Sequence, residues 1–112
     1  MRLVAVVMVT LLGASVQASA QRPQYTVVGF GGDSCGTWIE ARGKGRSTAM
    51  QYWALGFVSG ANTFRIEGND FVKDTDANAI WVWLDNFCRS RPLELFGSAV
   101  DQLAVDLKAR AH

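Results

Sequence analysis

An all-α fold is the class this sequence predicts: a small four-helix domain, one helix short and three longer and amphipathic, closed by one disulfide. Three observations predict it. Apolar residues recur every three or four positions through most of residues 33–107, the period of a helix with one buried face. Strand-like alternation is weak. Two cysteines, Cys35 and Cys88, follow what reads as an export signal, and paired cysteines in an exported chain predict a bridge. The loop it closes holds roughly 50 residues, worth on the order of 4 kcal/mol if chain entropy sets the gain.

The first element is that signal, residues 1–20. Arg2 supplies a positive start, residues 3–12 are apolar except for Thr10, and Ala18-Ser19-Ala20 forms a small-x-small cleavage site. The apolar run is well short of the roughly 20 residues that a membrane span needs, and no later stretch is longer. The expectation is a periplasmic protein, cleaved near Ala20, soluble and without stable membrane insertion. Cleavage leaves 92 residues, and with Arg2 gone ten basic side chains face ten acidic ones. That balance argues against a nucleic-acid or anionic-lipid partner. A core in so short a chain is marginal, which makes the disulfide important.

Residues 21–32, with Gly29, Gly31 and Gly32, read as an extended or flexible arm before a single helical domain over residues 33–110. The first helix starts at Asp33 or Ser34, either of which can cap it. It carries Cys35, Trp38 and Ile39 on one face and stops at Gly43-Lys44-Gly45. The second runs from Ser47, a good N-cap, to about Phe64. Met50, Trp53, Phe57, Ala61 and Phe64 form its stripe. Gly56 and Gly60 weaken a helix by about 1 kcal/mol each relative to alanine, so they suggest a backbone passing close by.

Residues 65–74 read as a polar loop. Asp74 or Thr75 would cap the third helix, with Asp76 favourable in its first turn. Ala77, Ile80, Trp81, Leu84, Phe87 and Cys88 make its apolar face, while Trp83 and Asp85 point elsewhere. Pro92 ends this helix and suits the first turn of the fourth. There Leu93, Phe96, Val100, Leu103 and Leu107 repeat on the inner face, and Asp101, Asp106 and Lys108 take the outer one. A Cys35–Cys88 bridge would tie the first helix to the third.

Catalytic chemistry finds little support. The one histidine is His112, the last residue, so neither cysteine nor any serine has a histidine partner for nucleophilic catalysis. The cysteines lie far apart, unlike a redox Cys-x-x-Cys. Asp74-x-Asp76-x-Asn78 with Asp85 faintly resembles a calcium loop, but Ala79 stands where glycine is needed and Asp85 where a bidentate glutamate belongs. Helix capping explains it better. Glu67 and Asp70 share a polar loop with no sign of a pocket to raise a pKa. Gly29-x-Gly31-Gly32 lacks the Lys-Ser/Thr of a phosphate loop. No cofactor, no metal and no enzymatic activity are expected. Four tryptophans remain conspicuous: most belong in the core, but Trp83, off the main face, is either an exposed protein-binding anchor or partly buried under the N-terminal arm.

Ser34-Cys35, the run from Trp53 through Gly56-Phe57 to Ser59-Gly60, Asn86-Phe87-Cys88, Pro92 and the closing stretch 95–107 occur in an order that resembles the HdeA/HdeB-type periplasmic acid-stress proteins. The resemblance implies a disulfide-closed helical bundle, often dimeric at neutral pH, that opens in acid and binds unfolding clients through apolar surface. The chain departs from that family in its sparser, balanced charge, its extra tryptophan and Arg91 before the proline. A weaker resemblance, through the aromatic-x-x-Gly pattern at residues 53–57, is to the Rap/Tai immunity proteins of type VI secretion, which capture one toxin.

Two functions are therefore expected as alternatives. The first is a stress chaperone in which Asp85, Glu94, Asp101 and Asp106 lose charge in acid. Helix packing then loosens and makes available faces built on Trp53, Phe57, Trp81 and Phe96. The second is a binder of one specific partner at neutral pH, centred on Trp83 or the loop at residues 65–74. Both take other proteins as partners, and a homodimer is compatible with either.

Overall fold

The computed structural model describes residues 5, 13, 25–64 and 68–111. The cleavage site Ala18-Ser19-Ala20, Gln21 to Gln24, residues 65–67 and His112 lie outside them. Four helices follow a short 3-10 helix, Gly29–Gly32: α1 (Cys35–Gly43), α2 (Thr48–Thr63), α3 (Ala77–Ser90) and α4 (Phe96–Arg110). No strand occurs among the described residues, only an isolated bridge between Ser34 and Leu95. The expected all-α class, with one short helix and three longer ones, is what the chain adopts.

Cys35 and Cys88 are bonded, both fully buried, with Cα atoms 4.7 Å apart. Around this bridge the backbone forms a clip. The amide of Cys35 donates to the Glu94 carbonyl at 2.7 Å, that of Gly36 to Pro92 at 2.9 Å, and that of Phe96 to Asp33 at 2.7 Å. The start of α1, the end of α3 and the start of α4 thus meet at one end of the molecule.

Helix α4 is the hub. It packs against all three other helices and the 3-10 helix, and it buries Phe96, Gly97, Ala99, Val100, Leu103 and Ala104. Two glycines allow the closest of these approaches. A Cβ at Gly97 would lie 2.9 Å from the Gly31 carbonyl oxygen, and one at Gly31 would collide with Val27 and the Trp53 ring. The glycines of the expected arm therefore form a tight turn seated on α2 and α4, not a flexible lead.

Of the two expected caps of α1 the chain uses Ser34, its hydroxyl accepting from the Thr37 amide at 3.1 Å. Several other local expectations are corrected. For α3 the cap is Asp76, which accepts from the Ala79 amide at 2.8 Å, and not Asp74 or Thr75. Asp74 instead takes a left-handed turn conformation, φ 64°. Ser47 precedes α2, but its hydroxyl donates to Gln51 instead of capping. The buried line of α2 is Met50, Ala54 and Val58, with Trp53, Phe57 and Ala61 half-buried beside it, while Phe64 is exposed. A Cβ at Gly56 or Gly60 would meet nothing within 4 Å, so among the described residues no backbone passes close to either. Ala77 is exposed. Helix α4 begins at Phe96 because the carbonyls of Pro92 and Glu94 are committed to α1. Leu93 is consequently 95% exposed instead of buried.

Candidate functional site

Indole nitrogens organise the helix interfaces. Trp38 on α1 is fully buried and stacked on Phe96, ring centroids 4.9 Å apart. Its Nε1 donates to Asp85 Oδ1 on α3 at 2.9 Å. Arg42, one turn after Trp38, grips the same carboxylate at both oxygens, Nε to Oδ1 and Nη2 to Oδ2 each at 3.0 Å. Its guanidinium also lies 5.6 Å from the centre of the Trp38 ring. Hydrogen bonding to Asp85 raises the Arg42 pKa above its ordinary value.

The arrangement recurs one layer away. Trp83 Nε1 on α3 donates to Asp106 Oδ2 on α4 at 2.9 Å, and Arg110 Nη2 reaches the same oxygen at 3.1 Å. Two carboxylates, each shared by a tryptophan and an arginine, thus join α1 to α3 and α3 to α4. This corrects the expectation that Trp83 and Asp85 point away from the packing: both are half-buried at interfaces. Asp106 is likewise no outer-face charge.

Of the other expected contact residues, Phe96 is fully buried in the folded state, and Trp53, Phe57 and Trp81 are half-buried against the core. Trp53 Nε1 donates to the Val28 carbonyl at 2.9 Å, fastening the chain before the 3-10 helix to α2. A cleft of about 280 Å³ lies over Trp83, Phe71 and Ile80, with Lys73, Asp74 and Arg110 on its rim. A second, of about 450 Å³, runs between residues 25–28 and the Tyr52–Phe57 side of α2.

No protein-family model, no curated protein and no solved structure matches this chain. Among the described residues no group of three or more His, Cys, Asp or Glu could hold a metal. The carboxylates of the faint calcium pattern are dispersed, Asp76 to a helix cap and Asp85 to Arg42. Asp70 accepts from the Asn62 side chain at 3.0 Å. No described helix is long and apolar enough to cross a membrane. The buried disulfide is of the kind that persists in oxidising, exported settings.

Sequence reasoning missed Arg42, Tyr52 and Val28. For Arg42 the signal was present: Trp38 and Arg42, like Asp106 and Arg110, stand four residues apart, so each pair shares a helix face. For Tyr52 it lay in the composition of α2, which carries no charged residue over its 16 positions.

Proposed function

We propose that this chain is exported by residues 1–20, works in the periplasm through contact with other proteins rather than by catalysis, and acts as an acid-stress chaperone of the HdeA type. One observation carries the reading. Both interfaces of α3 are latched through carboxylates, Asp85 and Asp106, each receiving an indole N–H and an arginine. Ionised, a carboxylate is a strong acceptor for such donors. Protonated, it loses the charge that holds the arginine. Arg42 stays cationic: its raised pKa means its contribution is complete below the ordinary arginine value and is lost only as pH rises through the raised one. Acid therefore acts on the carboxylate side alone. Opening the Asp85 latch frees the Trp38 indole, whose ring lies against Trp81 and Phe96.

The test uses the oxidised protein recovered after export and an acid-labile client enzyme. Client light scattering is followed at neutral pH and at about pH 3, below the usual carboxylate range. Suppression of aggregation only in acid is expected. A chain that stays folded and monodisperse in acid and leaves aggregation unchanged would sink the proposal.

The cleft over Trp83 favours a second reading, capture of one partner at neutral pH. Under it, Trp83→Ala weakens a stoichiometric complex while the circular dichroism stays folded. Unaltered affinity counts against that surface.

A further inference from the structure

The stretch between α3 and α4, residues 91–95, belongs neither to the carboxylate latches nor to the Trp83 cleft. Its backbone nevertheless engages both ends of the disulfide. The Arg91 amide donates to the Cys88 carbonyl at 3.1 Å, and the Glu94 carbonyl accepts from the Cys35 amide at 2.7 Å. Between them the Pro92 carbonyl accepts from the Gly36 amide at 2.9 Å. The approach is close: a Cβ at Gly36 would lie 3.4 Å from the same Pro92 oxygen. Leu95 completes the attachment through its isolated bridge to Ser34. Cys35 and Cys88, bracketed by this backbone, are each 0% exposed.

The side chains of the same stretch face the other way. Arg91, Pro92, Leu93, Glu94 and Leu95 are all exposed, Leu93 by 95%, and core burial resumes only at Phe96. Backbone hydrogen bonds therefore hold the stretch, which has little apolar area of its own to lose on lifting. Segments of that kind open for less than the free energy of global unfolding. Reduction of a disulfide, in turn, needs a thiolate to reach one sulfur. An anion finds no compensation for its hydration in the apolar core around these two cysteines.

We infer that residues 91–95 are a liftable cover over the Cys35–Cys88 bridge, so that thiols reduce the native protein only through a local opening of this stretch. Closed, the cover makes the bridge inert to thiols. Lifted, it admits a dithiol while the rest of the core stays packed. One thiolate of the dithiol attacks the sulfur of Cys35 or Cys88, forming a mixed disulfide and releasing the other cysteine as a thiolate. The second thiol of the reagent then displaces the first cysteine and closes a cyclic disulfide. Two electrons pass to the protein, whose two sulfurs end as thiols, and the reagent is oxidised. The cover operates at neutral pH and independently of the carboxylate latches.

The experiment follows reduction of the oxidised protein, recovered after export, by dithiothreitol at about pH 8, where part of the reagent is thiolate. New thiols are trapped by alkylation and counted by mass spectrometry. The native protein should react about a hundred-fold or more slowly than the same protein unfolded in urea, because only the open fraction is attacked. Across urea concentrations below the unfolding transition, the logarithm of the rate should rise with less than about a third of the equilibrium unfolding slope, since a local opening exposes little surface. Pro92→Gly loosens the lifted stretch and should speed reduction by about two-fold to five-fold, again with a shallow urea slope. Should that variant not fold, Leu93→Gly at its exposed position takes its place. A native rate equal to that of the unfolded chain would show that nothing covers the bridge. A urea slope matching global unfolding, or a parent rate in the glycine variant, would equally overturn the proposal. Acid suppression of client aggregation is a separate result and stands or falls without it.

Discussion

At the scale of single residues, the Asp85 carboxylate carries more than its side-chain class suggests. It satisfies a buried indole and a bidentate arginine at once. Asp85→Asn keeps the shape and removes the charge, and is expected to lower unfolding stability by about 1–2 kcal/mol. The lower end is favoured because the Arg42 side chain is 32% exposed and partly screened by solvent. Urea denaturation with an unchanged slope checks it. By contrast the Lys44–Glu40 pair is solvent-exposed. Its hydrogen bond lowers the Glu40 pKa, so whatever it contributes is present at neutral pH and is lost as pH falls through the lowered value. Glu40→Gln should leave the melting temperature unmoved at neutral pH. Gly31→Val should behave oppositely. Its new side chain meets Val27 and Trp53, and a loss of about 1–3 kcal/mol is expected from overpacking. A melting temperature matching the parent would show that the 3-10 turn is not seated as described.

At the scale of elements, periodicity located the helices, but the partner of each helix decided its details. Helix α1 and the body of α3 are where the spacing put them, because Cys35, Trp38, Ile80, Leu84 and Cys88 repeat on one face each. The start of α4 was misread because Pro92 is a fair first-turn residue by local rules. Only the tertiary bonds from Cys35 and Gly36 explain why carbonyls 92 and 94 face α1 instead. The stripe of α2 keeps Met50 but continues through Ala54 and Val58, with Trp53 and Phe57 half-buried one position before them. The i, i+4 spacing of Trp38 with Arg42 and of Asp106 with Arg110 was legible, but the interhelical half of each latch was not: a carboxylate at a half-buried interface looks like a surface residue until its donors on a second helix are known. Helix α2 yields a direct test. Since a Cβ at Gly56 and at Gly60 meets nothing, Gly→Ala at each should stabilise the protein by about 0.5–1 kcal/mol through helix propensity. Thermal melts of both single variants measure this. A loss of stability would mean that something does lie against those glycines.

At the scale of the whole molecule, the disulfide is a large fraction of what holds a core of this size. The closed loop spans 53 positions, and Cys35→Ser with Cys88→Ser is expected to cost about 2–4 kcal/mol, as typical of native bridges. Such a loss would leave a small domain close to its unfolding threshold at 25 °C. Reversible chemical denaturation with and without reductant measures the same quantity.

The bridge has an unequal reach along the chain. Residues 35–88 make a covalent ring that contains α1, α2 and α3, whereas α4 follows Cys88 and hangs outside it as a linear tail. The tail is nonetheless the hub on which the ring's helices converge. Detaching it stretches no cross-link, and its return is a unimolecular search by a segment tethered to the ring through residues 89–95. The expected signature lies in native-state amide exchange: α4 amides should swap deuterium through an opening cheaper than global unfolding, while amides of α1 and the second half of α3 report the full barrier. A molecule built this way sheds its centrepiece before its frame.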